Sequence, residues 1–149
     1  MAEQHDSMEM IFPSDFKYLG AVDAAVQDIA RELSCAQRWI NDFSTALVEA
    51  CTNAIEHGNK YAKDKKVRVI VTLNGRNLIA RVFDQGGGFD YKGYLSDDST
   101  PPDPLSERGR GILIMRAFTD DLKYKKLDDG GICLELVKSC DDEAASEEE

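Results

Sequence analysis

Val67, Val69, Val71 and Leu73 alternate with Lys66, Arg68 and Thr72, the two-residue period of a strand with one buried face. Asn74-Gly75 then supplies a two-residue hairpin turn, and residues 78–83 return as the partner strand. The C-terminal third repeats this plan, with residues 122–127, a Gly130-Gly131 turn and residues 132–137 predicting a closing hairpin. Residues 8–13 alternate less cleanly and predict a short first strand. In residues 14–33 the period changes: Leu19, Val22, Val26, Ile29 and Leu33 recur every three or four positions, the stripe of an amphipathic helix. Ser14, following Pro13, is its expected N-cap. A second helix is expected over residues 36–58, with Trp39, Phe43, Leu47, Ala50 and Ala54 near one face and Gly58 as its stop. Asn41 or Asp42 either starts or interrupts it. A third helix is expected over residues 112–118. The sum predicts an α+β fold, a two-layer sandwich of a mostly antiparallel mixed sheet with helices on one face. Residues 90–107 show neither period and carry Pro101, Pro102 and Pro104; a loop of that length reads as a lid.

Composition narrows the function classes. At 149 residues the chain fits one domain, expected over residues 8–140, with residues 1–7 and 141–149 as disordered tails. The net charge is -10, and setting aside the six acidic groups of the last nine residues leaves -4 on the rest. That body shows no basic stripe, which argues against direct nucleic-acid binding. With no apolar run near the length of a membrane helix and no signal-peptide pattern at the start, the chain is expected in the cytoplasm. Cys35, Cys51, Cys133 and Cys140 form no C-x-x-C pair and have only His5 and His57 to join them, so zinc binding is not expected. Cys35, Cys51 and Cys133 fall within apolar patterns and read as buried reduced thiols.

Three fragments carry candidate chemistry. On the second helix Glu49, Asn53 and His57 stand four residues apart, so each is turned about 40° from the last along one side. For that helix alone, a polar face meeting solvent is the better explanation; the glycine-rich boxes downstream reverse that preference. Asp84 ends a strand and is followed by Gly86, Gly87 and Gly88, where backbone can approach a ligand without a Cβ clash. Arg108, Gly109, Arg110 and Gly111 precede the expected third helix, whose free N–H groups and dipole suit phosphate. Neither a Walker loop nor a Rossmann fingerprint is present.

Taken in order, EACTNAIEH (49–57), DQGGGF (84–89) and RGRGILI (108–114) resemble the N, G1 and G2 boxes of the GHKL ATP-binding superfamily. Within it the chain is similar to the RsbW and SpoIIAB type of anti-sigma factor and serine-protein kinase. The resemblance implies the Bergerat ATP-binding fold, ATP with Mg²⁺, Asn53 as the magnesium ligand, Glu49 as general base, and Asp84 as the reader of the adenine amino group. It assigns His57, Gly86, Gly88, Arg108, Gly109, Arg110 and Gly111 to nucleotide binding, His57 and the two arginines remaining equally open to structural readings. It implies phosphorylation of a STAS-type anti-anti-sigma protein, a sigma factor as competing partner, and a homodimer. A non-catalytic module that holds nucleotide and sequesters a partner stands as the alternative, and a partner-switching regulator unconnected with transcription as a third. One departure bears on the partner: several relatives carry an arginine in the first half of helix one, where this chain offers Asp23.

Overall fold

The computed structural model describes residues 6–86 and 107–141. Gly87, Gly88, the expected lid apart from Glu107, and the tail from residue 142 lie outside the described residues. Five strands, β1 (Asp6–Pro13), β2 (Lys66–Asn74), β3 (Asn77–Phe83), β4 (Asp121–Lys126) and β5 (Ile132–Ser139), form one sheet in the order β1-β2-β3-β5-β4. Every pairing among them is antiparallel, so the parallel component of the expected mixed sheet is absent from the described residues. β1 opens at Asp6, two residues before its expected start, and Ser7 meets Thr72 hydroxyl to hydroxyl at 2.8 Å across the β1–β2 ladder.

The alternation seen in the sequence puts Val67, Val69 and Val71 of β2, Leu78, Ala80 and Val82 of β3, and Ile132, Leu134 and Leu136 of β5 on one buried face. Three helices cover it: α1 (Leu19–Ala30), α2 (Gln37–Asn53) and α3 (Glu107–Phe118). α2 lies between the other two and brings Phe43, Leu47, Ala50 and Cys51 into the core, beside Val22 and Val26 of α1 and Ile112 and Met115 of α3. Asn41 and Asp42 neither start nor break α2, because tertiary burial of its apolar stripe outweighs the modest helix cost of two polar residues. On the opposite face of the sheet, Arg81 pairs with Glu135 at 2.8 Å and the Arg68 guanidinium lies 5.0 Å from the Phe83 ring centroid.

The start of helix one differs from expectation. Asp15, not Ser14, caps the first turn, accepting from the Lys17 N–H at 3.0 Å; this bond holds the Asp15 carboxyl below its ordinary value. Ser14 is buried and donates its hydroxyl to the Lys65 carbonyl at 2.7 Å instead. A buried hydroxyl needs a partner in the fold, and the β2 entry offers one.

Cys35 was expected as a free thiol, but it is joined to Cys140 in a disulfide across 105 residues, with Cα atoms 6.1 Å apart. Ser34 adopts a left-handed conformation (φ 57°) at the end of the first helical segment, reversing the chain so that Cys35 meets the end of β5. Cys51 and Cys133 are free. Burial pushes the Cys51 thiol up to about 12 and raises Cys133, so neither is a thiolate nucleophile near neutral pH. Closing a loop of this length restricts the unfolded chain by up to about 4.7 kcal/mol, of which a disulfide typically delivers about 2–4 kcal/mol. Reduction is therefore expected to lower the melting temperature by about 5–15 °C. A scan with and without dithiothreitol measures it, and a Cys140→Ser variant should melt at the reduced temperature under both conditions.

Candidate active site

α2 delivers the site. Glu49 is half-buried and Asn53, four residues on, is 3% exposed. Together with Thr52, Glu56, Arg110, Gly111 and Ile114 they line a cavity of about 240 Å³ between α2 and α3. The side-chain amide nitrogen of Asn53 is buried with no hydrogen-bond partner, although a mid-core amide left unpaired costs roughly 1–3 kcal/mol. It is a polar group held ready for something that enters the cavity.

Gly109 and Gly111 lie within the first turn and a half of α3, not ahead of it, because the helix already includes Glu107. Gly111 thus acts through its missing side chain. A Cβ there would stand 2.9 Å from Glu49 Oε1 and 3.7 Å from Asn53 Oδ1, so glycine lets the α3 backbone close against both groups. Arg110 is exposed on the cavity rim, and Arg108 sits in the same turn.

The second half of the site lies just past the C-terminal end of α2. There the helix widens into a π turn, Ala54–Gly58, closed by Asn59 N–H to Ala54 carbonyl at 2.8 Å. The wide turn shifts the helical phase beyond Asn53, so His57 does not continue the Glu49–Asn53 line. His57 is absent from the cavity wall and instead brings Nε2 to 3.4 Å from Glu56 Oε1. Gly58, expected only as a helix stop, lies directly against Asp84: a Cβ there would fall 2.2 Å from Asp84 Oδ2. Asp84 is 5% exposed, and its Oδ1 accepts from the backbone N–H groups of Gly86 at 3.0 Å and Ile132 at 3.2 Å. These bonds fix the carboxylate at the junction of β3, β5 and α2. Gly86 packs as closely, since a Cβ would lie 1.3 Å from the Gly58 carbonyl oxygen.

Sequence reasoning missed Thr52, Glu56, Gly58 and Asn59. The first two stand three residues after Glu49 and Asn53, a spacing that places them on the same helix side. Asn59 carried no signal, because its three partners come from separate segments. Its buried side-chain nitrogen donates to Ser14 Oγ at 2.9 Å and to the Lys66 carbonyl at 3.0 Å, while Oδ1 accepts from the Gln85 N–H at 2.7 Å. The amide ties the turn after β3 to the end of α2 and the start of β2. Asn59→Ala is expected to cost about 3 kcal/mol in urea unfolding, because one buried and two part-buried hydrogen bonds are lost together. A cost below about 1 kcal/mol would mean that water replaces the amide.

The profile of the histidine kinase-like ATPase domain matches residues 12–138. The serine-protein kinase RsbW of Bacillus licheniformis is 31% identical over 144 residues, covering 93% of this chain and 88% of that protein. The chain belongs to the histidine kinase-like ATPase family, in its RsbW serine-protein kinase branch. Serine-protein kinase RsbW of Bacillus pumilus (strain SAFR-032) is 28% identical over the same shares of the two chains. Two solved structures share the fold of this RsbW-type chain. The RsbU and RsbW domains of Rv1364c from Mycobacterium tuberculosis give a TM-score of 0.62 at 19% identity, over 90% of this chain and 32% of that one. The SiaB–SiaC complex from Pseudomonas aeruginosa gives 0.60 at 11% identity, over 88% of each chain. Among the described residues no helix is long and apolar enough to cross a membrane, and no cluster of three or more His, Cys, Asp or Glu side chains is arranged to hold a metal ion.

Proposed function

We propose that this RsbW-type kinase binds ATP with Mg²⁺ along α2 and transfers the γ-phosphoryl group to a serine of a STAS-type anti-anti-sigma protein in the cytoplasm. The observation that carries this reading is the α2–α3 cavity, where two carboxylates (Glu49 and Glu56), the buried amide of Asn53, one arginine and one close-packed glycine converge. The Asn53 side-chain oxygen, among polar surroundings, fits a hard cation whose remaining ligands come from phosphate and water, while its unpaired Nδ2 is a donor suited to a phosphate oxygen. Asn53 would hold Mg²⁺, which neutralises phosphate charge when bound. Arg110, with Arg108 and the α3 N-terminal turn, receives the anionic phosphates, and Asp84, packed against Gly58 beyond the end of α2, fixes the adenine end.

Phosphoryl transfer depends on positioning and charge stabilisation, with attacking and leaving oxygens in line. Glu49 takes the proton from the acceptor serine as its oxygen bonds to the γ-phosphorus and the bond to the ADP oxygen breaks. The partner competing for the same surface is a sigma factor, and the working unit is a homodimer. Incubation with γ-labelled ATP, Mg²⁺ and candidate STAS proteins tests the reading, with label expected on a serine of one of them. Nucleotide binding without label on any candidate would leave a module that sequesters its partner without modifying it.

A further inference from the structure

Glu49 lines two cavities. One is the α2–α3 cavity; the other, about 380 Å³, lies between α1 and α2 and is walled by Leu19, Gly20, Asp23, Ser44, Thr45 and Val48. A volume of this size suits a short peptide segment or a few side chains. If the γ-phosphate occupies the first cavity, in-line geometry requires the acceptor oxygen to arrive from the side away from the leaving group. The second cavity shares the Glu49 carboxylate with the first, so a segment lodged in it brings its hydroxyl to the same base.

Its outer wall is charged. The buried Ser44 hydroxyl donates to Asp23 Oδ1, and Gln27 Nε2 donates to the same oxygen at 3.3 Å. Gln27 is itself braced by Asn41 at 3.1 Å and Gln37 at 2.8 Å. The carboxylate is therefore held in place by neutral donors, and no Lys, Arg or His among the described residues forms an ion pair with it. Two carboxylates, Asp23 and Glu49, thus face an apolar floor of Leu19, Gly20 and Val48. An acidic acceptor segment would be repelled here, and a basic one is complementary.

We propose that the α1–α2 groove is the acceptor subsite, and that Asp23 selects a substrate protein carrying a lysine or arginine beside its phosphorylated serine. This rests on the kinase reading above. The groove holds the segment across its apolar floor, Asp23 pairs with the basic side chain, and the hydroxyl is left at Glu49. Asp23 is a specificity residue; it does not touch the reacting atoms.

The test uses the full chain and the STAS protein that accepts label from it. Asp23→Lys is expected to raise KM for that protein about 10-fold, with kcat within a factor of two and calorimetric ATP affinity unchanged. Wild-type kcat/KM should fall as salt rises and the variant should lose that dependence. Lysines and arginines near the acceptor serine are then changed to Glu one at a time, and one such substrate should recover its KM with the Asp23→Lys enzyme. An unchanged KM, a loss confined to kcat, or no recovery with any charge-reversed substrate overturns the proposal and leaves the kinase reading standing. A wild-type enzyme that binds ATP but labels no STAS protein removes both.

Discussion

Glu49→Gln is expected to lower phosphoryl transfer to the STAS substrate by a factor of about 10² to 10⁴, the usual contribution of a positioned general base. The substitution keeps the shape of the side chain at the boundary of the two cavities. It also keeps a group that can stand beside Gly111, which a Cβ at that position would crowd to 2.9 Å. ATP affinity and partner binding should therefore stay within about threefold of wild type, a difference under 1 kcal/mol. Single-turnover transfer of labelled phosphate, set beside calorimetric titration of ATP, separates the two effects. A variant that transfers at the wild-type rate removes Glu49 from the chemistry, and one that loses ATP as well makes it a structural ligand of the site.

The second large effect is expected from Gly58→Ala. An exposed helix would gain about 1 kcal/mol from this change. Here the new Cβ would lie 2.2 Å from Asp84 Oδ2 and 2.9 Å from Asp84 Cβ, so the whole side chain must move, not only its tip. Moving it breaks the bonds from the Gly86 and Ile132 N–H groups, each worth about 1.5–3 kcal/mol to a charged acceptor. The loss outweighs the helix gain, and the net destabilisation should be about 2–5 kcal/mol. With the carboxylate displaced, ATP affinity should fall on the order of 100-fold, since 1.4 kcal/mol is a factor of ten. Calorimetry on the folded variant, with circular dichroism to confirm the fold, reads both; unchanged ATP affinity would falsify the assignment of Asp84 to the base end of the nucleotide.

How much of this was legible in the chain depends on the range of each signal. Strand alternation in residues 66–73 and the Asn74-Gly75 turn are local, and β2 and β3 match them closely. The stripe of Trp39, Phe43, Leu47 and Ala50 is also local, and all four are buried. Glu49 and Asn53 were legible because one helical turn separates them, and they meet on one cavity. His57 was misaligned because a π turn, which has no composition signature, shifts the helix phase after Asn53. Ser14 looked like a cap because a hydroxyl before a helical stripe suits that role, whereas a carbonyl 51 residues away uses it. Cys35 and Cys140 looked unrelated because their pairing spans nearly the whole domain.

Sequence alone determined the α+β class, the three boxes and the RsbW-type family, since these depend on periodicities of two and 3.6 residues and on motifs of a few positions. Only the tertiary structure decided the rest. It put Gly111 inside α3 against Glu49, Gly58 against Asp84, Asn59 at the meeting of three segments, and Glu49 between two cavities. Each of these is a contact between segments far apart in the chain. Such contacts arise from how the helices close-pack on the sheet, which no local pattern encodes.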